Sequence, residues 1–223
     1  MVERVDDVKG LDIELEEDIL KKNRELAEAN RSLLDENNIF CIDFMGSVGA
    51  GKTSLISCLI DILKENYRIG VIGGDLTTTI DAEIFSSHGI PVVQINTGRE
   101  CHLDANLVSI ALKKFDLKKL DLLFIENVGN IICPSEFPLG AHKRVAVVSA
   151  IDSPYIVIKH PLTFSSVDAV ALNKIDLAKV VGIDVNMLEN EILKINSDLP
   201  VVRTSAKNKT GIDNLIKVLE IPE

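Results

Sequence analysis

A glycine-rich octapeptide, GSVGAGKT at residues 46–53, follows an apolar run and precedes a helix-like pattern. Its spacing, G-x-x-x-x-G-K-T, lets successive backbone N–H groups turn inward and form an anion cradle at a helix N-terminus. The lysine of such a loop reaches the β- and γ-phosphates of a nucleotide, and the following hydroxyl ligates Mg²⁺. The pattern therefore predicts a phosphate-binding loop. Its residues are Gly46, Ser47, Val48, Gly49, Ala50, Gly51, Lys52, Thr53 and Ser54.

Two acidic residues follow or end other apolar runs, where a metal–phosphate site requires carboxylates. Asp75 follows IGVIGG, Glu126 ends LDLLFIE, and Gly129 comes three residues after Glu126. In an open parallel sheet both acids would lie at the edge where ligands bind. A glycine at this spacing lets a backbone N–H approach the γ-phosphate and respond to its loss. We expect these three residues to join Thr53 at a catalytic Mg²⁺ site, with Asp75 positioning water.

The tetrapeptide NKID at residues 173–176 follows another apolar run and indicates a base-recognition site. Its Asp carboxylate can accept two hydrogen bonds from the N1–H and exocyclic amine of guanine, and adenine lacks this donor pair. The stem of the neighbouring lysine can lie over the base plane. Because SAK at 205–207 can offer backbone N–H groups to guanine O6, we expect GTP rather than ATP. The expected guanine-binding residues are Asn173, Lys174, Asp176, Ser205, Ala206 and Lys207.

Cysteine and histidine side chains form a third candidate site. Cys101 and His102 are adjacent, and Cys133 lies four residues beyond Gly129. Thiolate and imidazole ligands favour Ni²⁺ or Zn²⁺ over Mg²⁺, although three ligands cannot complete a four-coordinate structural site. On a helix the two adjacent side chains would diverge by about 100°. The residues alone leave two interpretations open: core cysteines beside a surface histidine, or a metal site shared by two copies of the chain.

The elements that must position these residues alternate along the chain from Ile39, as short apolar runs rich in Val, Ile and Leu separated by helix-like stretches. Such alternation predicts an α/β fold: a doubly wound, mostly parallel sheet with helices on both faces. The predicted strands cover residues 39–45, 69–74, 91–95, 120–126, 144–150, 168–174 and 200–206. The predicted helices lie near residues 52–65, 80–88, 102–115, 184–196 and 211–219.

Residues 1–38 differ from the rest of the chain because they hold twelve acidic and six basic residues. Apolar residues recur there at helical spacing, which predicts one apolar stripe on a helix of about six turns. We expect an acidic helical extension over residues 1–38 and a nucleotide-binding domain over residues 39–223. The stripe would pack on the domain or on a partner. It consists of Leu15, Ile19, Leu26, Ala29 and Leu33.

Composition excludes several classes of protein. The formal net charge of −10 argues against a nucleic-acid binder, which needs a basic face. No apolar run approaches the roughly 18 residues of a membrane helix, and the first residues lack a signal-peptide pattern. We therefore expect a cytoplasmic protein that binds neither membrane nor nucleic acid. Cys41 and Cys58, in an apolar run and on a helix face, are expected in the core.

Over residues 39–220 the sequence resembles the HypB family of hydrogenase-maturation GTPases, in the G3E group of P-loop GTPases. The group has Glu in its third motif, as in ENVGN at 126–130, and the segment QINTGRECHLDA at 94–105 is similar to this family specifically. The resemblance implies that Cys101, His102 and Cys133 bind nickel or zinc at a nucleotide-dependent homodimer interface. It also implies a maturation partner and a hydrogenase large-subunit precursor that receives nickel.

Two features depart from many members of that family. Residues 1–38 contain no cysteine for an N-terminal nickel motif, and the chain has only 4 histidines, so it lacks a long nickel-storing stretch. The expected function is therefore GTP hydrolysis coupled to nickel delivery through the Cys/His site. Three alternatives remain at this stage: a urease-type nickel accessory GTPase, a regulatory GTPase whose dimer is held by structural zinc, and a small-molecule kinase.

Overall fold

The computed structural model describes residues 9–152 and 155–222, and side chains from residue 17 onward. Within these residues seven strands form one sheet in which every named pair of strands is parallel. The prediction of a doubly wound parallel sheet is confirmed. The strands are β1 (Phe40–Gly46), β2 (Ile69–Asp75), β3 (Val92–Asn96), β4 (Leu122–Gly129), β5 (Lys143–Ser149), β6 (Ala169–Asn173) and β7 (Val201–Arg203).

The strand order is β3-β2-β4-β1-β5-β6-β7, so the first strand lies at the centre of the sheet. The strands β2 to β4 lie on one side of β1, and β5 to β7 lie on the other. Beside β1 the connections therefore lead in opposite directions, which creates the crevice where doubly wound sheets bind ligands. All strands end at the same edge because all are parallel. The segments that follow β1, β2, β4, β6 and β7 therefore converge there, and these segments carry most of the predicted site residues.

Helices cover both faces of the sheet, as the alternating apolar positions of the strands require. Even-numbered residues of β1 and β4, such as Phe44 and Phe124, pack in one cluster with the second and the last helix of the chain. Odd-numbered residues on the opposite face pack in two further clusters. The helices are α1 (Lys9–Glu36), α2 (Lys52–Leu63), α3 (Ile80–Ser86), α4 (Ala105–Leu112), α5 (Cys133–Glu136), α6 (Ile156–Lys159), α7 (Pro161–Ser165), α8 (Ile175–Ala178), α9 (Val185–Ile195) and α10 (Ile212–Leu219).

Several helical boundaries differ from the sequence prediction. The helix expected near residues 102–115 begins only at Ala105, because the Asp104 carboxylate accepts the Leu107 N–H and caps the helix there. The four short helices α5 to α8 and a 3₁₀ turn at Leu117–Lys119 were not predicted. Each is too short to show an apolar periodicity.

Within the described residues the acidic extension forms α1, while residues 1–8 of it lie outside them, and its predicted stripe is partly wrong. Ile19 is 58% exposed and Ala29 is exposed, while the side chain of Leu15 lies outside the described residues. Leu26 and Leu33 are half-buried, next to a row of α1 side chains that is buried. This buried row includes two polar residues, which a search for apolar spacing cannot find. Its members are Asn23, Ala27, Asn30 and Leu34.

The two asparagines of α1 bond to backbone groups of the domain. Asn30 donates to the carbonyls of Ala105 (2.8 Å) and Leu139 (3.1 Å). Asn23 accepts the Ala105 N–H at 2.8 Å and donates to the Pro138 carbonyl at 2.9 Å. The helix is thus fixed to the start of α4 and to the segment after α5. Among the described helices, none is long and apolar enough to cross a membrane.

Candidate functional site

The loop at residues 46–53 joins β1 to α2, as the motif predicts. Gly51 has φ +96°, a left-handed backbone conformation, and α2 begins directly after it. A Cβ at Gly51 would lie 2.4 Å from Asn173 Nδ2, so both its backbone conformation and its packing require glycine. The side chain of Val48, at the tip of the loop, is 83% exposed. The loop has the form that an anion cradle needs.

Lys52 is nearly buried at the base of this loop, with 6% of its surface exposed. Its Nζ donates to the Gly46 carbonyl at 3.1 Å and lies 4.0 Å from Glu126 Oε1. Burial lowers the pKa of Lys52, and the neighbouring carboxylates, Glu126 first, oppose that shift. The amine thus lies between the loop and the acidic end of β4, where a nucleotide's terminal phosphates would meet it.

Two carboxylates lie within hydrogen-bond distance of the Thr53 hydroxyl. Thr53 Oγ1 lies 2.9 Å from Glu126 Oε1 and 3.0 Å from Asp81 Oδ1. Glu126 is 4% exposed, and its second carboxylate oxygen, Oε2, is buried without a hydrogen-bond partner among the described atoms. Burial raises the pKa of Glu126 to about 7, although Lys52 opposes the shift. An unpaired buried carboxylate oxygen beside a hydroxyl fits a Mg²⁺ ion, which prefers such ligands.

Asp81 was missed by the sequence analysis. It lies in the first turn of α3, six residues after Asp75, and no apolar run precedes it directly. Asp75 instead uses its Oδ1 to accept the N–H groups of Thr77 (2.8 Å) and Thr78 (2.7 Å). These bonds lower the pKa of Asp75 although burial opposes the shift. Asp81 thus contacts Thr53, while Asp75 caps the turn that leads to α3.

Gly129 lies beside the phosphate loop at the end of β4. It pairs with Gly46 at the end of the neighbouring strand β1, and a Cβ added to it would come within 2.4 Å of Val48 Cγ2. A larger residue at this position would force the Val48 side chain to shift, so glycine lets the β4 backbone pass close to the loop without displacing it. The position fits the predicted role of a backbone contact to the γ-phosphate.

Asn173 connects the phosphate loop to the loop after β7. Its Nδ2 donates to the Ala50 carbonyl at 3.1 Å, and its Oδ1 accepts the Ala206 N–H at 3.1 Å. The next residue, Lys174, has φ +61° and donates from Nζ to the Gly49 carbonyl at 2.5 Å. Asn173 thus acts through the backbone of both loops, and the Lys174 stem lies beside the phosphate loop.

The two segments expected to recognise the base lie side by side. Ser205 Oγ donates to Asp176 Oδ1 at 2.6 Å and accepts the Asn208 N–H at 3.2 Å. Ala206 is buried and Lys207 is exposed. The structure therefore brings Asn173, Asp176 and Ser205 together at the same edge of the sheet as Lys52.

Cys101, His102 and Cys133 form one cluster, with ligand atoms within 4.8 Å of one another. Cys101 Sγ lies 3.0 Å from Cys133 Sγ and 3.9 Å from His102 Nδ1. The expected divergence of the adjacent side chains does not occur, because α4 begins at Ala105 and residues 101–102 are not helical. The other two cysteines, Cys41 and Cys58, are buried, as predicted.

The residue types of this cluster and the state of His102 fit a soft divalent metal, whereas Cys133 would have to lose its proton when a metal binds. Burial lowers the pKa of His102, which favours the neutral imidazole that can ligate a metal, and the ring centroid lies 3.9 Å from that of Phe137. The hydrogen bond with Cys101, followed by burial, raises the pKa of Cys133. Two sulfurs and one imidazole suit Ni²⁺ or Zn²⁺, and the exposed side of Cys101 leaves room for a further ligand.

A short segment connects this cluster to the phosphate site. β4 ends at Gly129 and α5 begins at Cys133, so only three residues separate them. Asn130 forms a bridge with Gly46, and its side chain accepts the Ile132 N–H at 2.9 Å. Movement of the β4 end at Gly129 would therefore reach Cys133 over three residues.

The parallel sheet, the phosphate loop and the acidic residues beside Thr53 define the class: a P-loop nucleotide-binding protein. A family model described as "CobW/HypB/UreG, nucleotide-binding domain" matches residues 41–203. The probable hydrogenase maturation factor HypB of Methanocaldococcus jannaschii is 47% identical over 208 residues, which span 93% of this chain and 94% of that protein.

Two solved structures are similar over most of their length. HypB from Archaeoglobus fulgidus has a TM-score of 0.83 and 38% identity, and the match covers 90% of this chain and 98% of that one. HypB from Helicobacter pylori in complex with nickel has a TM-score of 0.84 and 31% identity, with 89% and 93% covered. The chain therefore belongs to the CobW/HypB/UreG family and, within it, to the HypB hydrogenase maturation factors.

Proposed function

We propose that this protein is a GTPase that delivers nickel to a hydrogenase large-subunit precursor. The observation that carries the proposal is the three-residue connection between Gly129, beside the phosphate loop, and Cys133, in the Cys/His cluster. One segment thus serves both a phosphate contact and a metal ligand. The nickel complex of the similar Helicobacter pylori protein supports nickel as cargo of the cluster.

The nucleotide half of the proposal assigns a role to each group near Thr53. Lys52 would hold the terminal phosphates, and Asp176 would accept the hydrogen-bond donors of guanine. Thr53 and Glu126 would hold Mg²⁺, with Asp81 close enough to hold one of its waters. When bound, Mg²⁺ neutralises charge that develops on the phosphate oxygens. The sequence places no Gln or Arg in a motif that would position the attacking water, so we expect slow turnover.

The metal half of the proposal links delivery to the nucleotide state. With GTP bound, the backbone at Gly129 would hold residues 130–132 and keep Cys133 beside Cys101. Loss of the γ-phosphate would free this segment, and a displacement of about 1 Å exceeds the usual ligand tolerance of about 0.2 Å. Because three ligands leave coordination incomplete, a second copy would complete the site in a GTP-dependent homodimer. A maturation partner would supply or receive the metal.

The test compares nickel binding in the two nucleotide states. Purified protein is loaded with a non-hydrolysable GTP analogue or with GDP, and nickel affinity and molar mass are measured. We expect affinities that differ at least tenfold, and thermodynamic linkage requires nickel to shift nucleotide affinity by the same factor. Cys101→Ala should abolish nickel binding, whereas Cys41→Ala, at a buried cysteine outside the cluster, should not.

Transfer to an acceptor separates delivery from a structural role. Release of nickel to a chelator or hydrogenase precursor should follow GTP hydrolysis. Equal affinity and equal dimerisation in both nucleotide states would contradict the proposal. In that case the cluster would be a structural metal site that holds the dimer together in both nucleotide states, and we would expect zinc to occupy it.

A further inference from the structure

Three polar side chains lie in the apolar face of the sheet, outside the nucleotide and metal sites already described. Asp43 is on β1, the central strand, and its neighbours in register are Ile125 on β4 and Arg144 on β5. Asn127 lies two residues further along β4 than Ile125. Asp43, Asn127 and Arg144 therefore project from one face of three adjacent strands. We call these three residues the interior network.

Asp43 is the centre of this network and is fully buried. Its Oδ1 accepts a hydrogen bond from Asn127 Nδ2 at 3.2 Å, and its Oδ2 lies 3.8 Å from Arg144 Nε. Apolar clusters pack on either side, around Met45 and around Cys41. A charge pair inside such a face costs more free energy than an apolar pair of the same size, so packing alone does not account for it.

From Asp43 the network reaches one ligand segment through Asn127. Asn127 is also fully buried, and its Oδ1 accepts the Leu103 N–H at 3.0 Å. Leu103 follows His102 directly, and its side chain is buried in the cluster around Cys41. This bond therefore fixes the backbone that carries Cys101 and His102.

From the other side of Asp43 the network reaches the second ligand segment through Arg144. Its Nη2 donates to the Pro134 carbonyl at 2.5 Å, and its Nη1 donates to the Ser135 carbonyl at 3.3 Å. Pro134 follows Cys133 directly. One guanidinium thus holds the first turn of α5 while its Nε faces the Asp43 carboxylate.

The network also adjoins the nucleotide site. Asn127 follows Glu126, whose carboxylate contacts the Thr53 hydroxyl at 2.9 Å. A shift of β4 at Glu126 would move Asn127, and with it the Leu103 N–H and the Asp43 carboxylate. Hydrogen bonds link the end of β4 to the Leu103 segment and to Asp43. The link from Asp43 to the α5 segment is its 3.8 Å ion pair with Arg144.

We propose that Asn127 and Arg144, joined by Asp43, are positioning residues that hold the two metal-ligand segments in register with each other and with the end of β4. The proposal rests on the proposed function, in that the held segments are metal ligands. A misplacement of about 1 Å suffices to lower binding at such a site. The network contacts none of the metal-binding atoms, so its loss would change ligand geometry without removing a ligand.

The experiment measures Co²⁺ affinity and the visible Co²⁺ spectrum, which reports ligand geometry, in both nucleotide states. Arg144→Lys keeps a positive charge near Asp43 but loses the paired bonds to residues 134 and 135. Asn127→Ala removes the bond to Leu103. We expect Co²⁺ affinity to fall at least tenfold in each, and its ratio between the GTP-analogue and GDP states to approach 1. Arg68→Lys, which loses comparable bonds to Asp121 at the opposite edge of the sheet, should keep both wild-type values.

A second readout needs no metal. Diamide oxidises the Cys101 and Cys133 thiols, whose sulfurs lie 3.0 Å apart, so that an S–S bond forms and two electrons and two protons pass to diamide. The network variants should form this disulfide more slowly than Arg68→Lys at equal thermal stability. Asp43→Asn, which retains a hydrogen-bonding side chain, offers a third variant if Asn127→Ala fails to fold.

Each outcome decides between the two proposals. If the variants match wild type in Co²⁺ affinity, spectrum and disulfide rate, the network has no positioning role, and the proposed function is unaffected. Variants that lose thermal stability but keep wild-type Co²⁺ affinity, spectrum and disulfide rate would likewise overturn the positioning role. If wild-type affinity is equal in both nucleotide states, the switch in the proposed function fails. A reduced affinity and slower disulfide formation in Arg144→Lys would then still support the positioning role.

Discussion

At the scale of single residues, the segments proposed to recognise the base contain one side chain proposed to contact the ligand and one that bonds to the backbone. Asp176 and Ser205 share a hydrogen bond of 2.6 Å, which fixes the carboxylate at the edge of the sheet. Asn173 is instead occupied by the Ala50 carbonyl and the Ala206 N–H. Specificity for the base should therefore depend on Asp176. The placement of both loops should depend on Asn173.

Asp176→Asn should change which base is accepted. The amide would present a donor where guanine presents its own amine, so GTP affinity should fall by roughly 100-fold. Xanthosine triphosphate, which has an oxygen at that position, should bind the variant better than GTP. Competition binding with GTP, ATP and the xanthosine nucleotide measures the change. Asp213→Asn, at an exposed acid of α10, should leave the order unchanged. Equal binding of GTP and ATP by wild type would contradict the assignment.

At the scale of elements, the central strands were predictable and the connections between them were not. All seven strands coincide with predicted apolar runs, most of them rich in Val, Ile and Leu, because a sheet covered on both faces needs apolar residues. The segment from Gly129 to Lys143 contains α5 and the Arg144 contacts, which depend on partners distant in sequence. The same holds for Asp81, whose role depends on how α3 packs beside Thr53.

The cluster of Cys101, His102 and Cys133 depends on a local conformation that the sequence prediction missed. Residue types indicated the ligands, but the local conformation of Cys101 and His102 decided whether both could face Cys133. The sequence suggested a helix there, and the Asp104 cap instead delays α4 by three residues. A cap is a sequence signal, so the correct start of α4 could have been predicted from Asp104.

The attachment of α1 also gives an element-scale prediction. Asn30→Ala would leave the buried carbonyls of Ala105 and Leu139 without the amide that binds both. An unpaired buried polar group costs about 1–3 kcal/mol, so the free energy of unfolding should fall by that amount. Urea denaturation measures the loss. Ser32→Ala, at an exposed site whose hydroxyl bonds only within α1, is the matched control. If both variants unfold at the same urea concentration, these amide bonds do not stabilise the attachment.

At the scale of the whole molecule, the interior network places an ionisable group at the centre of the fold. Burial raises the pKa of Asp43 to about 6, although Arg144 and Asn127 oppose the shift. The folded chain therefore binds a proton at this position more tightly than the unfolded chain, whose carboxyl has a pKa near 3.8. Such a difference makes the stability of the whole protein depend on pH.

The sign of that dependence follows from the direction of the shift. Between about pH 4 and pH 6 the folded state holds the proton that the unfolded state has lost, so the free energy of unfolding falls as pH rises through this interval. A shift of about two pKa units corresponds to a loss on the order of 3 kcal/mol, complete above about pH 6. Glu126, whose pKa is raised from 4.5 to about 7, acts in the same direction over an interval that overlaps that of Asp43.

Asp43→Asn should remove the part of this pH dependence that belongs to Asp43. Its amide does not ionise, so the unfolding free energy of the variant should decline less than that of wild type between pH 4 and pH 6. Urea denaturation of metal-free and nucleotide-free protein measures both curves, since bound ligands would add their own linkage. Any constant cost of the substitution shifts the variant curve without changing its slope. Asp213→Asn, at the exposed acid, should run parallel to wild type. If the Asp43→Asn curve also runs parallel, Asp43 is ionised throughout this range, and the central charge is stabilised by its partners despite its burial.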